Sequence, residues 1–132
     1  MGEDGVRVIR DYLDAWVEGD VDKGTSFYAD DIVCHLGGRS PVAGTYGSKE
    51  EFKEGYIDRV LETTNGGWSV TGYQDIASSE SRVYVVVNER FERPGREPVD
   101  GERVAIYDVQ DGKIRTMWAY DTDPYAIDEL LS

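Results

Sequence analysis

Apolar residues recur at helical spacing in the first half of the chain and alternate with polar residues in the second half. Residues 6–18 form the first helical pattern, in which one broad apolar face consists of Val6, Ile9, Tyr12, Leu13, Trp16 and Val17. Gly19 is placed to end this helix in a left-handed conformation, and Asp20 can cap a second short helix over residues 21–28.

A short apolar run at residues 32–36 follows the acidic pair Asp30-Asp31 and leads into a loop rich in Gly, Ser and Pro. This pattern predicts a buried strand that would form one wall of any pocket. Beyond the loop, Ser48 and Glu51 form a capping-box pattern, which predicts a third helix that runs to about Thr63.

From Trp68 onward the pattern alternates, which predicts four strands at residues 68–77, 82–93, 102–110 and 113–121. Asp111-Gly112 is typical of a tight hairpin between the last two strands. A final helix over residues 125–131 is predicted, with Asp123 as its cap and Pro124 at its first position. Helices followed by an antiparallel meander indicate one α+β domain over residues 1–132, whose curved sheet wraps around the helices and encloses a cavity.

The composition excludes several classes of site. A single cysteine, Cys34, leaves no partner for an intrachain disulfide, and one histidine with one cysteine argues against a zinc cluster, so we expect neither metal nor cofactor. No apolar run is long enough to span a bilayer, and the N-terminus is acidic, so we expect a soluble cytoplasmic protein with no membrane association.

The chain carries 27 acidic and 14 basic residues, a net charge of −13. Such a surface repels phosphate backbones, so we expect no binding to nucleic acid. Excess acid with only four lysines suits a protein kept soluble at high salt, although an ordinary acidic protein would have the same composition.

Several short motifs resemble those of a known family: Tyr12 ahead of Gly19-Asp20, then Tyr28-Ala29-Asp30-Asp31, Ala43-Gly44-Thr45-Tyr46-Gly47, Gly112-Lys113-Ile114 and Met117-Trp118-Ala119-Tyr120. Together they resemble the SnoaL-like and ketosteroid-isomerase-like branch of the nuclear transport factor 2 superfamily. The resemblance implies a cone-like curved antiparallel sheet around three N-terminal helices, a cystatin-like half barrel that holds a small hydrophobic molecule. This scaffold hosts many reactions, so the reaction must be argued from individual residues.

The resemblance to the steroid isomerases implies that Tyr12 is a phenol donor in the pocket. Those enzymes also need an aspartate base and a protonated aspartic acid, and here the two positions hold Leu36 and Ala105. Their loss argues against steroid isomerisation.

Two other enzymatic interpretations remain open. Hydration of the epoxide-hydrolase kind needs two carboxylates and an arginine, which Arg90, Glu92 and Asp121 could supply, although the second carboxylate position itself falls on Ala119. Proton transfer of the polyketide-cyclase kind needs a base, for which His35 and Asp121 are the candidates.

The donor for a developing oxyanion in that reaction would be Tyr12 or Tyr107. Each candidate also has a structural interpretation: His35 as a half-buried strand residue, Asp121 as a cap, and Tyr12 as a packing residue. Strict alternation places Leu36 and Cys34 inward and turns His35 outward, unless a bulge intervenes.

Alternation in the last two strands assigns their faces. It turns toward the predicted cavity Arg103, Ala105, Tyr107, Arg115, Met117 and Ala119. The predicted substrate-binding residues are Trp16, Leu36, Tyr56, Arg103, Tyr107 and Met117. The outer face then carries Val104, Ile106, Trp118 and Tyr120, large apolar residues that need a cover, and the family resemblance implies a homodimer through this face. The sequence thus leaves two functions open: a small-molecule enzyme, or a non-catalytic binding or accessory domain with the same pocket.

Overall fold

The computed structural model describes residues 2–132. It contains helices α1 (Gly2–Val17), α2 (Val21–Thr25), α3 (Lys49–Phe52), α4 (Asp58–Thr63) and α5 (Pro124–Leu131). The strands are β1 (Tyr28–Leu36), β2 (Gly44–Tyr46), β3 (Trp68–Ser79), β4 (Arg82–Phe91), β5 (Val99–Gln110) and β6 (Lys113–Asp121).

The six strands form one curved, unclosed sheet in the order β2-β1-β6-β5-β4-β3. Helix α1 packs across β3 and β4 on the concave side, where the core lies. The predicted α+β class with a curved sheet around helices is confirmed.

The sequence predicted an antiparallel sheet, but one pair of strands in the sheet is parallel. Strands β1 and β6 run parallel, with Cys34 beside Met117 and Leu36 beside Ala119. Turn signals such as Asp111-Gly112 identify hairpin neighbours only, whereas the pairing of β1 with β6 joins strands that lie far apart in the chain. The segment after β1 was also predicted as a loop, but Gly44–Tyr46 pairs with β1 as an edge strand.

The helices that follow predicted capping residues begin where the sequence predicted, although α2 ends at Thr25 rather than at residue 28. The Asp20 carboxylate accepts a hydrogen bond from Lys23 N at 3.1 Å, the Ser48 hydroxyl accepts one from Glu51 N at 3.0 Å, and the Asp123 carboxylate accepts one from Ala126 N at 3.4 Å. Gly19 ends α1 with φ +78°, a left-handed conformation.

A π-helical turn at Lys53–Ile57 joins α3 to α4, so the predicted third helix is one continuous helix with an extra residue in one turn. The Asp58 N–H donates to Lys53 O, five residues back. The Tyr46 hydroxyl lies 3.2 Å from the carbonyl oxygen of Gly55, inside this turn. The turn brings Tyr56 and Ile57 to the concave side of the sheet.

Within residues 2–132, no helix is long and apolar enough to cross a membrane.

Candidate functional site

A small aromatic cavity lies between α1, the π-helical turn and the concave face of the sheet. Its volume is about 40 Å³. The lining residues are Tyr12, Leu13, Trp16, Tyr28, Phe52, Tyr56, Ile57, Trp68, Val70, Val87, Glu89, Arg103, Tyr107 and Met117. Such a volume holds roughly three water molecules. Sites for drug-sized ligands measure on the order of 300 Å³ or more, so the cavity as it stands accepts the head group of a ligand and no more.

Trp68 and Arg103 are the two lining residues that are partly exposed, while the others are buried. The indole of Trp68 packs on that of Trp16 with ring centroids 5.5 Å apart. Entry of a larger molecule therefore requires movement at this aromatic edge.

The polar end of the cavity is a buried charge cluster centred on Arg103. Its Nε lies 3.1 Å from Glu89 Oε1 and 3.3 Å from Asp121 Oδ1, and its Nη2 donates to the Tyr56 hydroxyl at 2.6 Å. The side chains of Arg103 and Asp121 are each 11% exposed, and that of Glu89 is 2% exposed. One guanidinium thus faces two carboxyl groups, which leaves the cluster with a net negative charge when both are ionised.

Glu89 is only half satisfied. Its Oε2 accepts a hydrogen bond from Trp68 Nε1 at 2.8 Å, whereas Oε1 lacks a hydrogen-bond partner. Oε1 is at ion-pair distance from Arg103, but the N–H of the guanidinium is not aligned with it. Burial raises the pKa of Glu89, and the attraction of Arg103 and the hydrogen bond from Trp68 offset only part of that rise.

Arg103 remains charged within this cluster. Burial opposes its charge, but Glu89, Tyr56 and Asp121 raise the pKa of Arg103 well above its ordinary value. The guanidinium therefore acts as a fixed positive charge, and Glu89 is the group whose protonation can change.

Buried phenols occupy another part of the cavity wall. The hydroxyls of Tyr12 and Tyr28 lie 2.7 Å apart, and the ring of Tyr107 packs edge-on against Tyr12 at 5.6 Å. Burial raises the pKa of all three phenols well above the ordinary value. They therefore stay protonated and act as neutral hydrogen-bond donors.

Most of the predicted lining residues meet in this cavity. Tyr12, Trp16, Tyr56, Arg103, Tyr107 and Met117 line it. Leu36 and Asp121 instead line a neighbouring cavity of about 10 Å³, which is closed by Ile127 and Leu131 of α5. Asp121 therefore lines the neighbouring cavity rather than the aromatic cavity, although it contacts the same Arg103.

His35 lies on the outer face of the sheet. Its ring stacks on Trp118 with centroids 5.8 Å apart, and its Nδ1 lies 3.2 Å from the Thr45 hydroxyl. Cys34 and Leu36 on either side are buried in the core. The strand is regular at this point, so alternation turns His35 away from the cavity, and a role for it as the base in the pocket is not supported.

Three charged residues named from the sequence are also at the surface. Arg115 forms an ion pair with Asp31 at 3.2 Å instead of lining the cavity, because the β5–β6 pairing shifts register between Asp108 and Val109 near this end of the hairpin. Arg90 forms ion pairs with Asp100 at 2.9 Å and with Glu92 at 3.7 Å, an exposed charge ladder rather than a hydration site.

Glu89 is the residue that the sequence interpretation missed. It continues the buried alternate positions of β4, which are Val83, Val85, Val87, Glu89 and Phe91. A glutamate at an inward position of such an apolar strand indicates a paired or functional group, because carboxylates are rarely buried otherwise.

No group of three or more His, Cys, Asp or Glu side chains between residues 2 and 132 is arranged to hold a metal ion.

The charge arrangement predicts unequal effects of two arginine substitutions. Arg103→Met removes the only cation beside two buried carboxyl groups, so we expect a loss of about 3–5 kcal/mol in the free energy of unfolding at pH 7, measured by urea denaturation. Adding Glu89→Gln to Arg103→Met should recover part of this loss, because one of the unpaired charges is then absent.

The matched control is Arg90→Met, which breaks an exposed ion pair and should cost far less. Equal losses for Arg103→Met and Arg90→Met would contradict the importance of the buried cluster.

Comparison with known proteins identifies the family. The model of the SnoaL-like domain matches residues 9–117. No curated protein sequence matches the chain.

Solved structures share the fold at low sequence identity. Bal32a from a soil-derived mobile gene cassette has a TM-score of 0.87 and 22% identity, with 99% of this chain and 98% of that chain covered. A protein with a cystatin-like fold from Xanthomonas campestris has a TM-score of 0.89 and 19% identity, with 97% and 98% covered. TerC, co-crystallised with polyporic acid, has a TM-score of 0.80 and 18% identity, with 97% and 98% covered. The resemblance inferred from the motifs is confirmed, and the chain belongs to the SnoaL-like domain family.

Proposed function

We propose that this protein binds a small hydrophobic molecule in the aromatic cavity and transfers a proton to or from it at Glu89. The observation that carries the proposal is the carboxyl group of Glu89, which lines the cavity, is 2% exposed and has one oxygen without a hydrogen-bond partner. An unsatisfied buried carboxyl costs stability, so its presence in a lining made mostly of aromatic and aliphatic side chains favours a functional role.

Burial suits Glu89 to acid–base chemistry. The raised pKa makes its carboxylate a stronger base than an exposed glutamate and also lets its acid form persist to higher pH. In the proposed step, the carboxylate takes a proton from a carbon next to a carbonyl group. The electron pair of that C–H bond moves toward the carbonyl oxygen, and a neutral donor stabilises the negative charge that develops there.

The buried phenols are the candidate donors. Tyr12 and Tyr107 line the same cavity as Glu89 and keep their protons. This assignment retains the predicted donor role of both tyrosines and transfers the role of base from His35 and Asp121 to Glu89.

We favour proton transfer over hydration because of the position of Asp121. Hydration of an epoxide would need a carboxylate to activate water and an acid to protonate the leaving oxygen within one cavity. Glu89 and Asp121 flank Arg103 as such a pair would, but Asp121 lines the neighbouring cavity of about 10 Å³ rather than the aromatic one.

The non-catalytic alternative rests on the small volume of the cavity. At about 40 Å³ it must open at Trp68 before a whole hydrophobic molecule can enter. TerC, which has the same fold, was co-crystallised with polyporic acid, and this supports a small-molecule ligand for the fold without deciding between catalysis and binding.

Exchange of carbon-bound protons tests the proposal without knowledge of the natural substrate. In D₂O, we expect the wild-type protein to accelerate exchange at the α-carbons of 2-tetralone, a hydrophobic ketone, above the rate in buffer, as followed by proton NMR. Glu89→Gln should reduce this acceleration by about 10²–10⁴-fold, the range of general acid–base catalysis. The control is Glu92→Gln, which removes one negative charge at an exposed carboxylate and should leave the acceleration of exchange unchanged.

Two results would contradict proton transfer at Glu89. Exchange at the wild-type rate in Glu89→Gln would remove this residue from the reaction. Binding of the ketone, seen by tryptophan fluorescence, with no exchange above buffer would favour the non-catalytic binding domain.

We also propose that two copies pair through the outer face of the sheet. Val104 and Tyr120 lie opposite each other in register and are 39% and 47% exposed, and the next pair, Ile106 and Trp118, is half-buried. Large apolar side chains that are this exposed on a sheet face are typical of an interface between proteins.

Light scattering at micromolar concentration should give twice the chain mass of 14.8 kDa. Val104→Glu should shift the protein toward monomer, because it places like charges opposite each other across a symmetric interface. Val17→Glu is the matched control, since Val17 is 43% exposed on α1 and should leave the mass unchanged. A wild-type monomer would overturn the dimer.

A further inference from the structure

The charge balance of the cavity indicates which ligands it can hold. Of the residues that the structure describes, Arg103 is the only cation in the cavity lining, and it faces both Glu89 and Asp121. Its Nη2 is also engaged by Tyr56. The guanidinium therefore offers little net attraction to an anion, and the cluster carries one more potential negative charge than positive charge.

The Glu89 oxygen without a hydrogen-bond partner identifies what the cluster lacks. Glu89 lines the cavity, and its Oε1 is buried at ion-pair distance from Arg103 without an aligned hydrogen-bond donor, while Oε2 is already held by Trp68 Nε1. In its ionised form the Glu89 carboxylate only accepts hydrogen bonds, so the missing group is a donor. A charged donor would satisfy the oxygen and neutralise the cluster at once.

The walls of the cavity also favour a cation. The faces of aromatic rings carry negative charge, and rings that surround a site attract ammonium groups. Six aromatic residues besides Tyr107 line the cavity, namely Tyr12, Trp16, Tyr28, Phe52, Tyr56 and Trp68. The net charge of −13 over the whole chain acts in the same direction.

We propose that the ligand of this cavity carries a protonated amine, whose ammonium group donates a hydrogen bond to Glu89 Oε1 and contacts the aromatic walls. This inference rests on the cavity of the proposed function and specifies the class of molecule that it takes. Each carboxylate oxygen has two lone pairs, so Glu89 can accept this hydrogen bond and still receive a proton. The volume of about 40 Å³ suits an ammonium head group, and the hydrophobic remainder of the ligand would extend past Trp68, the partly exposed edge of the lining.

Three probes of similar shape separate charge from hydrophobicity. They are benzylamine, a cation at pH 7, benzyl alcohol, which is neutral, and benzoate, an anion. Binding is measured by isothermal titration calorimetry at physiological salt, where the long-range field of the surface is screened. We expect benzylamine to bind about tenfold or more tightly than benzyl alcohol, the effect of a hydrogen bond to a charged group, and benzoate to bind most weakly.

Variants assign the preference to the site. Glu89→Gln should abolish the preference for benzylamine, while Glu92→Gln, which removes one exposed negative charge, should preserve it. If Glu89→Gln fails to fold, Asp121→Asn gives a second test. It leaves one guanidinium facing one carboxylate, so the preference for benzylamine should fall.

Different failures of the test have different meanings. Benzyl alcohol or benzoate binding as tightly as benzylamine would overturn the amine inference and leave the hydrophobic-ligand proposal standing. A preference for benzylamine that survives in both Glu89→Gln and Asp121→Asn would overturn it as well, because the general field of the protein would then be responsible. If none of the probes binds, both the amine inference and the proposed ligand site are contradicted.

Discussion

A guanidinium buried between two carboxyl groups is the constraint on which the site depends. Removing Arg103 from water is costly, and the cost is offset only because Glu89, Asp121 and Tyr56 approach it from three different elements. The register of β5 with β6 pairs Arg103 with Asp121 directly, and the alternation of β4 turns Glu89 to the same concave side. The π-helical turn supplies Tyr56 from the helical layer.

This cluster gives the cavity its chemical character. The resemblance to steroid isomerases located a base and an acid at positions that hold Leu36 and Ala105 here, and both of these residues are buried and apolar. The ionisable groups of this site lie instead on β4, β5 and β6, at Glu89, Arg103 and Asp121. The remaining lining is largely aromatic, so the protein combines one polar end with walls that favour flat or cationic molecules.

Much of the fold was readable from local signals in the sequence. Asp20, Ser48 and Asp123 cap helices as predicted, and strand β6 begins at Lys113 and ends at Asp121 as the alternation indicated. The parallel pairing of β1 with β6 could not be read, since no local signal couples strands so far apart.

The site was less accessible to prediction for a related reason. Alternation identified Arg103, Tyr107 and Met117 as inward residues, and the same alternation along β4 places Glu89 inward. Which buried groups form ion pairs depends on distances across strands, and the helix that closes the neighbouring cavity, α5, lies at the far end of the chain.

The protonation of Glu89 is the central claim, and its carboxyl carbon can report it directly. A pH titration by ¹³C NMR, with Glu89→Gln used to assign the signal, should give a pKa above the ordinary value for glutamate, because burial outweighs the attraction of Arg103. A pKa at or below the ordinary value would mean that Arg103 holds Glu89 as a simple ion pair, and would contradict its role as the group that exchanges a proton with a ligand.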